Sequence, residues 1–293
     1  MTSLLLVNPA SGRGRGRKLA EQVACYLSEY GLQYEIQFTE TREHAVNLAS
    51  SAKAWERVIV AGGDGTINSV LGWLAGTDIP LGIIPVGTSN GLARELRLPM
   101  NLAQACRIAA GAGRRRIDLG SANGRLFILM AGIGFDATVV RELGTGLKNL
   151  LGPLAYVLTG LRVIIGYPSV DLRVCADDRE LKLRAWVAVA ANTPTYTYTL
   201  KIAPNAIMDD GLLDLIIFTD RYPWDRATQL IGAFMGKHLE HPQIFKLRAR
   251  RFEIMTEHPV CVQVDGDQAA YTPVMLEVLP GACTLIVPEE KQH

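Results

Sequence analysis

The stretch Val58-Ile59-Val60-Ala61-Gly62-Gly63-Asp64-Gly65-Thr66-Ile67-Asn68 carries a short apolar strand straight into three glycines set around one carboxylate. Glycines let the backbone approach a ligand closely, and the run that follows starts a helix whose free N–H groups attract anions. Asp64 is out of place beside a phosphate unless a cation lies between them, so the loop points to a metal–nucleotide site. Gly-Asp-Gly also makes a tight strand-to-helix turn with no ligand at all, and the stretch by itself fits both descriptions.

Outward from that loop, the first part of the chain alternates strand and helix. Leu4–Val7 reads as a buried strand, and Leu19, Val23 and Leu27 then recur at helical spacing. Tyr34, Ile36 and Phe38 alternate as a strand, Thr41–Ala54 is expected to be helical, and Ile67, Val70, Leu71 and Leu74 mark one face of the helix after Val58–Val60. Leu81–Pro85 is a further strand, followed by helical segments to about Gly111. Such alternation implies a parallel sheet with helices on both faces, a fold that binds ligands at the carboxyl ends of its strands. Three polar, glycine-bearing loops follow three of these strands, at residues 8–16, 62–66 and 86–91. Their coincidence favours a nucleotide site over three unrelated turns.

From about Ile117 the rhythm changes. Val170, Leu172 and Val174 alternate with charged residues, as do Leu181, Leu183, Ala185, Val187 and Val189 with their neighbours. Leu212–Phe218, Phe252–Met255, Val260–Val264, Val274–Val278 and Leu285–Val287 are expected as further strands, with one helix around Trp224–Met235. This half reads as an antiparallel sandwich or barrel. The boundary is expected near Arg114–Leu119, giving an α/β domain of residues 1–118 and a β-rich domain of residues 119–293 whose last residues pack back on the first.

Bulk properties narrow the function classes. A chain of 293 residues has room for two ordinary domains, and 48% hydrophobic with 20% charged residues describes a folded globular protein. A net charge of +1 supplies no global field for nucleic acid, so no nucleic-acid partner is expected. The five cysteines are scattered without a Cys-x-x-Cys pair, which argues against a zinc site or disulfide framework and fits a reducing cytoplasm. Leu4–Val7 is too short for the core of a signal peptide. Asn149–Leu161, broken by Gly152, Pro153 and Gly160, falls short of the ~20 residues needed to span a bilayer. The expectation is a cytoplasmic protein, at most peripheral to the inner face of a membrane; a homodimer stays open.

Two further groups of residues bear on chemistry. The first loop, Asn8-Pro9-Ala10-Ser11-Gly12 followed by Arg13, Arg15, Arg17 and Lys18, suits polyphosphate, although a solvated basic loop looks the same. It is not a Walker A loop, because no Gly-Lys-Ser/Thr follows at the required spacing. In the third loop Thr88 and Asn90 offer neutral hydrogen bonds to a ribose or phosphate, or simply cap the next helix. Acidic residues cluster in the second half, at Asp209-Asp210-Gly211 with Asp214 and at Asp265-Gly266-Asp267. Phosphoryl transfer to an alcohol needs a base for the hydroxyl proton and a divalent cation. Asp-Gly pairs are also common hairpin turns.

Taken in order, Asn8-Pro-x-Ser-Gly12, Gly62-Gly-Asp-Gly-Thr66 with Asn68, Pro85-x-Gly-Thr-x-Asn90 with Ala93-Arg94, Ala203-Pro-x-Ala206 with Asp209-Asp-Gly-x-Leu-Asp214, and Asp265-Gly-Asp267 resemble the diacylglycerol kinase catalytic-domain family, specifically its compact bacterial lipid kinases. The resemblance runs from Leu4 to Val287. It implies an amino-terminal α/β domain with a parallel, NAD-kinase-like nucleotide-binding sheet and a β-rich sandwich domain, with ATP and lipid meeting in the cleft between them. It implies ATP contacts from Asn8, Pro9, Ala10, Ser11 and Gly12, from Thr39, from Gly62, Gly63, Asp64, Gly65, Thr66, Ile67 and Asn68, and from Thr88 and Asn90. It implies catalytic roles for Asp64, which would help to place Mg2+ on the ATP phosphates, and for Asp265 and Asp267, between which the base is left unassigned. A supporting magnesium site is implied at Asp210 with the carbonyls of Ile207 and Leu212.

This chain departs from the family pattern in three places. Gly91 stands where many relatives have Asp, which leaves Asp64 more alone in organising magnesium. Thr195-Tyr-Thr-Tyr-Thr-Leu200 replaces a glycine run and cannot take its positive φ angles. Asp267 replaces a glutamate, withdrawing the carboxylate by about one methylene. The expected activity is ATP- and Mg-dependent phosphorylation of a hydroxyl on diacylglycerol or a related lipid, in phospholipid metabolism. The rivals are an NAD kinase-like enzyme, which shares Gly-Gly-Asp-Gly and part of whose second motif Thr193-Pro194-Thr195 echoes, although the paired Asn-Glu expected before that motif is absent, and a catalytically weak lipid- or nucleotide-binding regulator. Leu147–Ile165 is an expected apolar docking segment, and basic islands at Arg13–Lys18, Arg114–Arg116 and Arg248–Arg251 would attract anionic head groups at about 1 kcal/mol per residue.

Overall fold

The computed structural model describes residues 2–8, 16–39, 55–134, 167–197 and 200–289. The expected helix at Thr41–Ala54, the docking segment Leu147–Ile165 and loop residues Pro9 to Gly12 lie outside them. The chain divides into two compact units, Met1–Asp118 with Pro280–His293, and Leu119–Leu279.

In the first unit, strands β1 (Ser3–Val7), β2 (Tyr34–Phe38), β3 (Val58–Gly62) and β4 (Leu81–Pro85) pair in parallel in the order β4-β3-β1-β2. β1, β3 and β4 are buried along their whole length, as uninterrupted apolar strands are when helices cover both faces. Helix α1 (Gly16–Glu29) lays Ala20, Val23 and Leu27 against Leu5, Val7 and Ile59. The helix α2 (Asp64–Leu74) buries Ile67, Val70, Leu71 and Leu74, a 3.6-residue stripe. Two further helices follow, α3 (Gly91–Glu95) and α4 (Leu102–Ala110); Ala105, Cys106 and Ala109 of α4 join the α1 cluster. Arg57 is buried beneath α4, where its Nη1 donates to the terminal carbonyls of Ala110 at 2.8 Å and Gly111 at 3.0 Å. The chain winds from β1 to β2 in one direction and from β3 to β4 in the other, so the order reverses between β1 and β3. Ligands of doubly wound sheets bind at that reversal, outside the carboxyl ends of the strands.

The second unit is antiparallel. Its hub is β9 (Arg179–Ala191), whose first half pairs β8 (Val170–Ala176) and whose second half lies between β7 (Met130–Gly134) and β12 (Leu213–Thr219). Along β9 the alternation gives way at Ala185 to seven consecutive buried residues. β12 continues to β13 (Ile244–Ala249), β8 to β14 (Arg251–Thr256), and β7 to β15 (Cys261–Val264) and β16 (Asp267–Tyr271). Ile133, Val174, Ala188, Leu215, Phe252 and Leu276 belong to one buried cluster, while Trp186, Ile216 and Phe218 form a second on the other face of β9 and β12. Helix α5 (Pro223–Phe234) follows β12.

Several expectations need correction. Val274–Val278 and Leu285–Val287 are parts of one strand, β17 (Val274–Ile286), which passes through Pro280 because Gly281 takes a φ of 55°. Arg114–Leu119, expected as a domain boundary, lies within a strand, β5 (Arg114–Ala122), which turns through Asn123-Gly124 into β6 (Arg125–Phe127). Part of the Thr195–Leu200 segment is a short antiparallel pair, β10 (Thr195–Thr197) with β11 (Leu200–Lys201).

Candidate functional site

At the reversal point of the parallel sheet, the residues leaving β1 and β3 are tied together: Asn8 Nδ2 donates to Thr66 Oγ1 at 2.9 Å. The loops after β3 and β4 then meet backbone to backbone. A Cβ on Gly87 would stand 2.5 Å from the Gly63 Cα, and one on Gly62 would stand 2.8 Å from the Thr66 Cβ. Glycine at Gly62 and Gly87 is therefore demanded by packing. Gly65 is different, because a Cβ there would meet nothing within 4 Å. Nothing among the described residues needs glycine at that point, on the first turn of α2, where the amides of Asp64 and Gly65 have no carbonyl of their own helix to reach.

The carboxylate of Asp64 accepts from the Leu92 amide at 3.4 Å, linking the start of α2 to α3. Asn90 is buried in the left-handed conformation, φ 49°, and its Nδ2 donates to the Gly87 carbonyl at 2.9 Å, which fixes the third loop. Two buried oxygens around these loops have no hydrogen-bond partner among the described residues, Thr39 Oγ1 at the end of β2 and Asn90 Oδ1. An unsatisfied buried polar atom costs about 1–3 kcal/mol unless a ligand satisfies it. Thr88 is exposed, and Asn68 is half-buried on α2. Ile67 lies in the core and its amide is bonded to Gly63, so it anchors the helix. Open backbone at Gly65, a helix N-terminus and orphaned oxygens together fit a polyphosphate with its ribose.

In the second unit, Asp265 and Asp267 flank the turn from β15 to β16, with Asp265 at φ 48° and Gly266 at φ 90°. The Asp265 carboxylate accepts three consecutive backbone amides, from Ile128 at 2.7 Å, Leu129 at 2.9 Å and Met130 at 3.0 Å. Gln263, buried beneath the turn, accepts from the Gly266 amide at 2.6 Å. Asp267 faces outward: its side chain is 45% exposed, with Arg125 Nη2 3.8 Å from Oδ2. Arg125 also donates to the Gln268 carbonyl at 2.9 Å. The two carboxylates of the Asp-Gly-Asp motif thus differ in kind, one anchored and one presented.

The other acidic cluster is occupied by a cation of the protein's own. Asp210 accepts from the Leu212 amide at 3.0 Å through Oδ1, and its Oδ2 is bonded to the guanidinium of Arg248. Arg248 Nε reaches Asp214 Oδ2 at 3.3 Å. Burial pushes the Asp214 carboxyl above its ordinary range and the charge of Asp210 adds to this, while Arg248 pulls the other way. Among the described residues no three acidic, histidine or cysteine side chains gather as a metal site. Asp210 thus faces a half-exposed guanidinium, which a magnesium ion held by this carboxylate and the carbonyls of Ile207 and Leu212 would have to displace. Sequence reasoning treated Arg248 as part of a surface island and missed Arg125 altogether, although Asn123-Gly124 announces the hairpin that carries it. The amides holding Asp265 leave no trace in sequence, because the side chains of residues 128–130 take no part.

Relatives in sequence and in structure identify the fold and the family. Residues 2–122 match the family described as the diacylglycerol kinase catalytic domain. Residues 130–287 match the YegS C-terminal NAD kinase beta sandwich-like domain. The chain is 28% identical over 292 residues to a diacylglycerol kinase of Bacillus subtilis, covering 98% of this chain and 96% of the relative. It is 29% identical over 275 residues to one of Staphylococcus saprophyticus, covering 92% and 90%. A crystal structure of a provisionally named diacylglycerol kinase from Bacillus anthracis superposes with a TM-score of 0.83 at 26% identity, covering 98% of this chain and 95% of the other. The parallel α/β fold, the following β sandwich and the order of the glycine and acidic motifs therefore have one explanation: this chain belongs to the diacylglycerol kinase catalytic-domain family of lipid kinases, in the form that carries the YegS-type C-terminal domain.

Proposed function

We propose that the chain transfers the terminal phosphoryl group of ATP to a hydroxyl of diacylglycerol or a related lipid. The observation that carries this reading is the glycine surface at the sheet reversal, where Gly63 and Gly87 meet through their backbones and Gly65 faces open space. No described side chain or backbone fills the space over Gly65, so a ligand can approach the backbone there. In this reading Thr39 satisfies its hydroxyl on the nucleotide, and Asn8 and Thr66 hold the β1 and β3 loops at the phosphates. Magnesium bound with the nucleotide neutralises phosphate charge, and Asp64 is the residue that would hold it there.

The acidic half of the chemistry falls to Asp267. The lipid hydroxyl oxygen bonds to phosphorus as the bond from phosphorus to the bridging oxygen of ADP breaks, and Asp267 takes the hydroxyl proton. Asp265, spent on three amides, positions the turn that presents Asp267 and does not touch the substrate. Arg125 steadies the Asp267 carboxylate. NAD is the rival acceptor, because the C-terminal domain is described as NAD kinase-like. Incubation with labelled ATP and either a whole-lipid extract or NAD, followed by thin-layer separation, distinguishes them. Label is expected in a lipid product; label on NAD alone would replace this reading.

A further inference from the structure

Helix α5 turns several polar side chains inward and large apolar ones outward. Asp225, Arg226 and Gln229 are buried beside Ala233 and the partly buried Leu230, while Trp224, Ile231, Phe234 and the C-cap residue Met235 are each between 59% and 69% exposed. The inward polar groups are bonded. Asp225 accepts the amides of Arg221 and Tyr222 at 2.7 and 2.8 Å, and Arg226 pairs with Asp220 and Ser169. Gln229 donates to the Thr219 carbonyl at 2.6 Å and accepts from Trp186 Nε1 at 3.1 Å. Outward, Trp224, Ile231 and Met235 lie at spacings of seven and four residues on one stripe, with Phe234 beside it. Tyr222, half exposed, stacks on Trp224 with ring centroids 4.8 Å apart. A surface helix normally shows the reverse polarity, and an apolar patch of this kind marks an interaction site.

We propose that this face of α5 is the surface by which the protein docks on an anionic bilayer, an inference that rests on the lipid-kinase reading above. Large aromatic and aliphatic side chains on a helix lying flat reach about 5–10 Å into the head-group boundary. Trp and Tyr together at one end suit the water–lipid boundary, where their rings are favoured. The charges flank the stripe and do not interrupt it. Arg221, its guanidinium 5.8 Å from the Tyr222 ring, precedes it, and exposed Lys237 follows. Asp220 and Asp225 are turned inward, and Glu240 stands on the next turn, beyond Lys237. Basic residues at both ends match anionic head groups. A second copy of the chain is the poorer occupant, because a stable dimer needs roughly 800 Å² per partner, some 20–30 residues, and this stripe offers one helix face.

The test uses the full chain and vesicles of phosphatidylcholine with or without phosphatidylglycerol. Wild type should float with the anionic vesicles, and its tryptophan emission should shift to the blue. Trp224→Phe should still float and lose most of that shift. Ile231→Glu/Phe234→Glu, at exposed positions that leave the melting temperature unchanged, should reduce partitioning at least tenfold. The double variant should phosphorylate diacylglycerol in vesicles about tenfold more slowly, yet match wild type on detergent-dispersed short-chain diacylglycerol. Undiminished flotation of the double variant would overturn the proposal, as would a wild-type dimer that the double variant dissociates without any change in flotation. If no lipid is phosphorylated by wild type while flotation still depends on α5, the docking surface stands and the kinase reading falls.

Discussion

The Asp265-Gly266-Asp267 turn shows how two like residues two positions apart come to do different work. Asp265→Asn would set an NH2 donor against amides that already donate, and should lower stability by roughly 1.5–3 kcal/mol. Asp267→Asn, at a half-exposed position, should leave the melting temperature within experimental error while lowering the transfer rate by about 10²–10⁴-fold. Thermal melts and initial rates on the two variants check this division. Thr39→Val removes a buried hydroxyl that has no partner among the described residues, so it should raise the stability of the nucleotide-free protein by up to about 1 kcal/mol and weaken ATP binding; calorimetry reads both. Asp214 offers a pH signature. Its folded pKa is raised above the ordinary 3.8, mainly by burial, so its stabilising contribution is complete below that value and is lost as pH rises through the raised one. The stability of wild type relative to Asp214→Asn should fall as pH rises above about 4, measured by urea unfolding. At this scale the sequence marked Asp265 and Asp267 as a pair and Asp210 with Asp214 as another, and did not show how the members of each differ in surroundings. That difference is made by the backbone amides of residues 128–130 and by Arg248, reached through folding from far along the chain.

Among the elements, the glycine loops hold glycines that packing requires, such as Gly87, and one that packing does not, Gly65. Gly87→Ala pushes a Cβ into the Gly63 backbone and should destabilise the protein by about 1–3 kcal/mol, because backbone there cannot give way as a side chain would. Gly65→Ala meets no neighbour, so its melting temperature without nucleotide should equal or exceed wild type while ATP affinity falls at least tenfold. Melting curves with and without ATP and magnesium test both at once. The parallel strands were legible because runs such as Leu4–Val7 and Val58–Ala61 are apolar throughout and end in loop residues. β13 was missed because Ile244–Ala249 exposes Phe245, Lys246 and Arg248, which blurs its alternation. The β5–β6 hairpin was missed although Asn123-Gly124 is a strong turn signal, because the stretch before it was read as the boundary between domains. α5 was expected at nearly its true position, but its inverted polarity could not be read until Phe218 and Trp186 were seen packing near its inner face.

For the molecule as a whole, two rhythms in the sequence correspond to two units, one parallel and one antiparallel, and each matches its own family description. The ordered set of motifs was enough to indicate the family, since each motif alone also describes an ordinary turn. Which chain segments close each unit was less legible: Pro280–His293 group with the first unit because β17 runs on through Gly281 to pair Leu285 with Leu81 of β4. Among the described residues no helix is long and apolar enough to cross a membrane. The central claim is that this chain phosphorylates a lipid hydroxyl from ATP, with Asp267 as base. Its most direct test is transfer of label from γ-labelled ATP to diacylglycerol in anionic vesicles, with wild type, Asp267→Asn and NAD as an alternative acceptor run side by side. The account predicts labelled lipid from wild type, none above background from Asp267→Asn although that variant still binds ATP, and no label on NAD. Unlabelled lipid with active label on NAD, or full lipid labelling by Asp267→Asn, would contradict it.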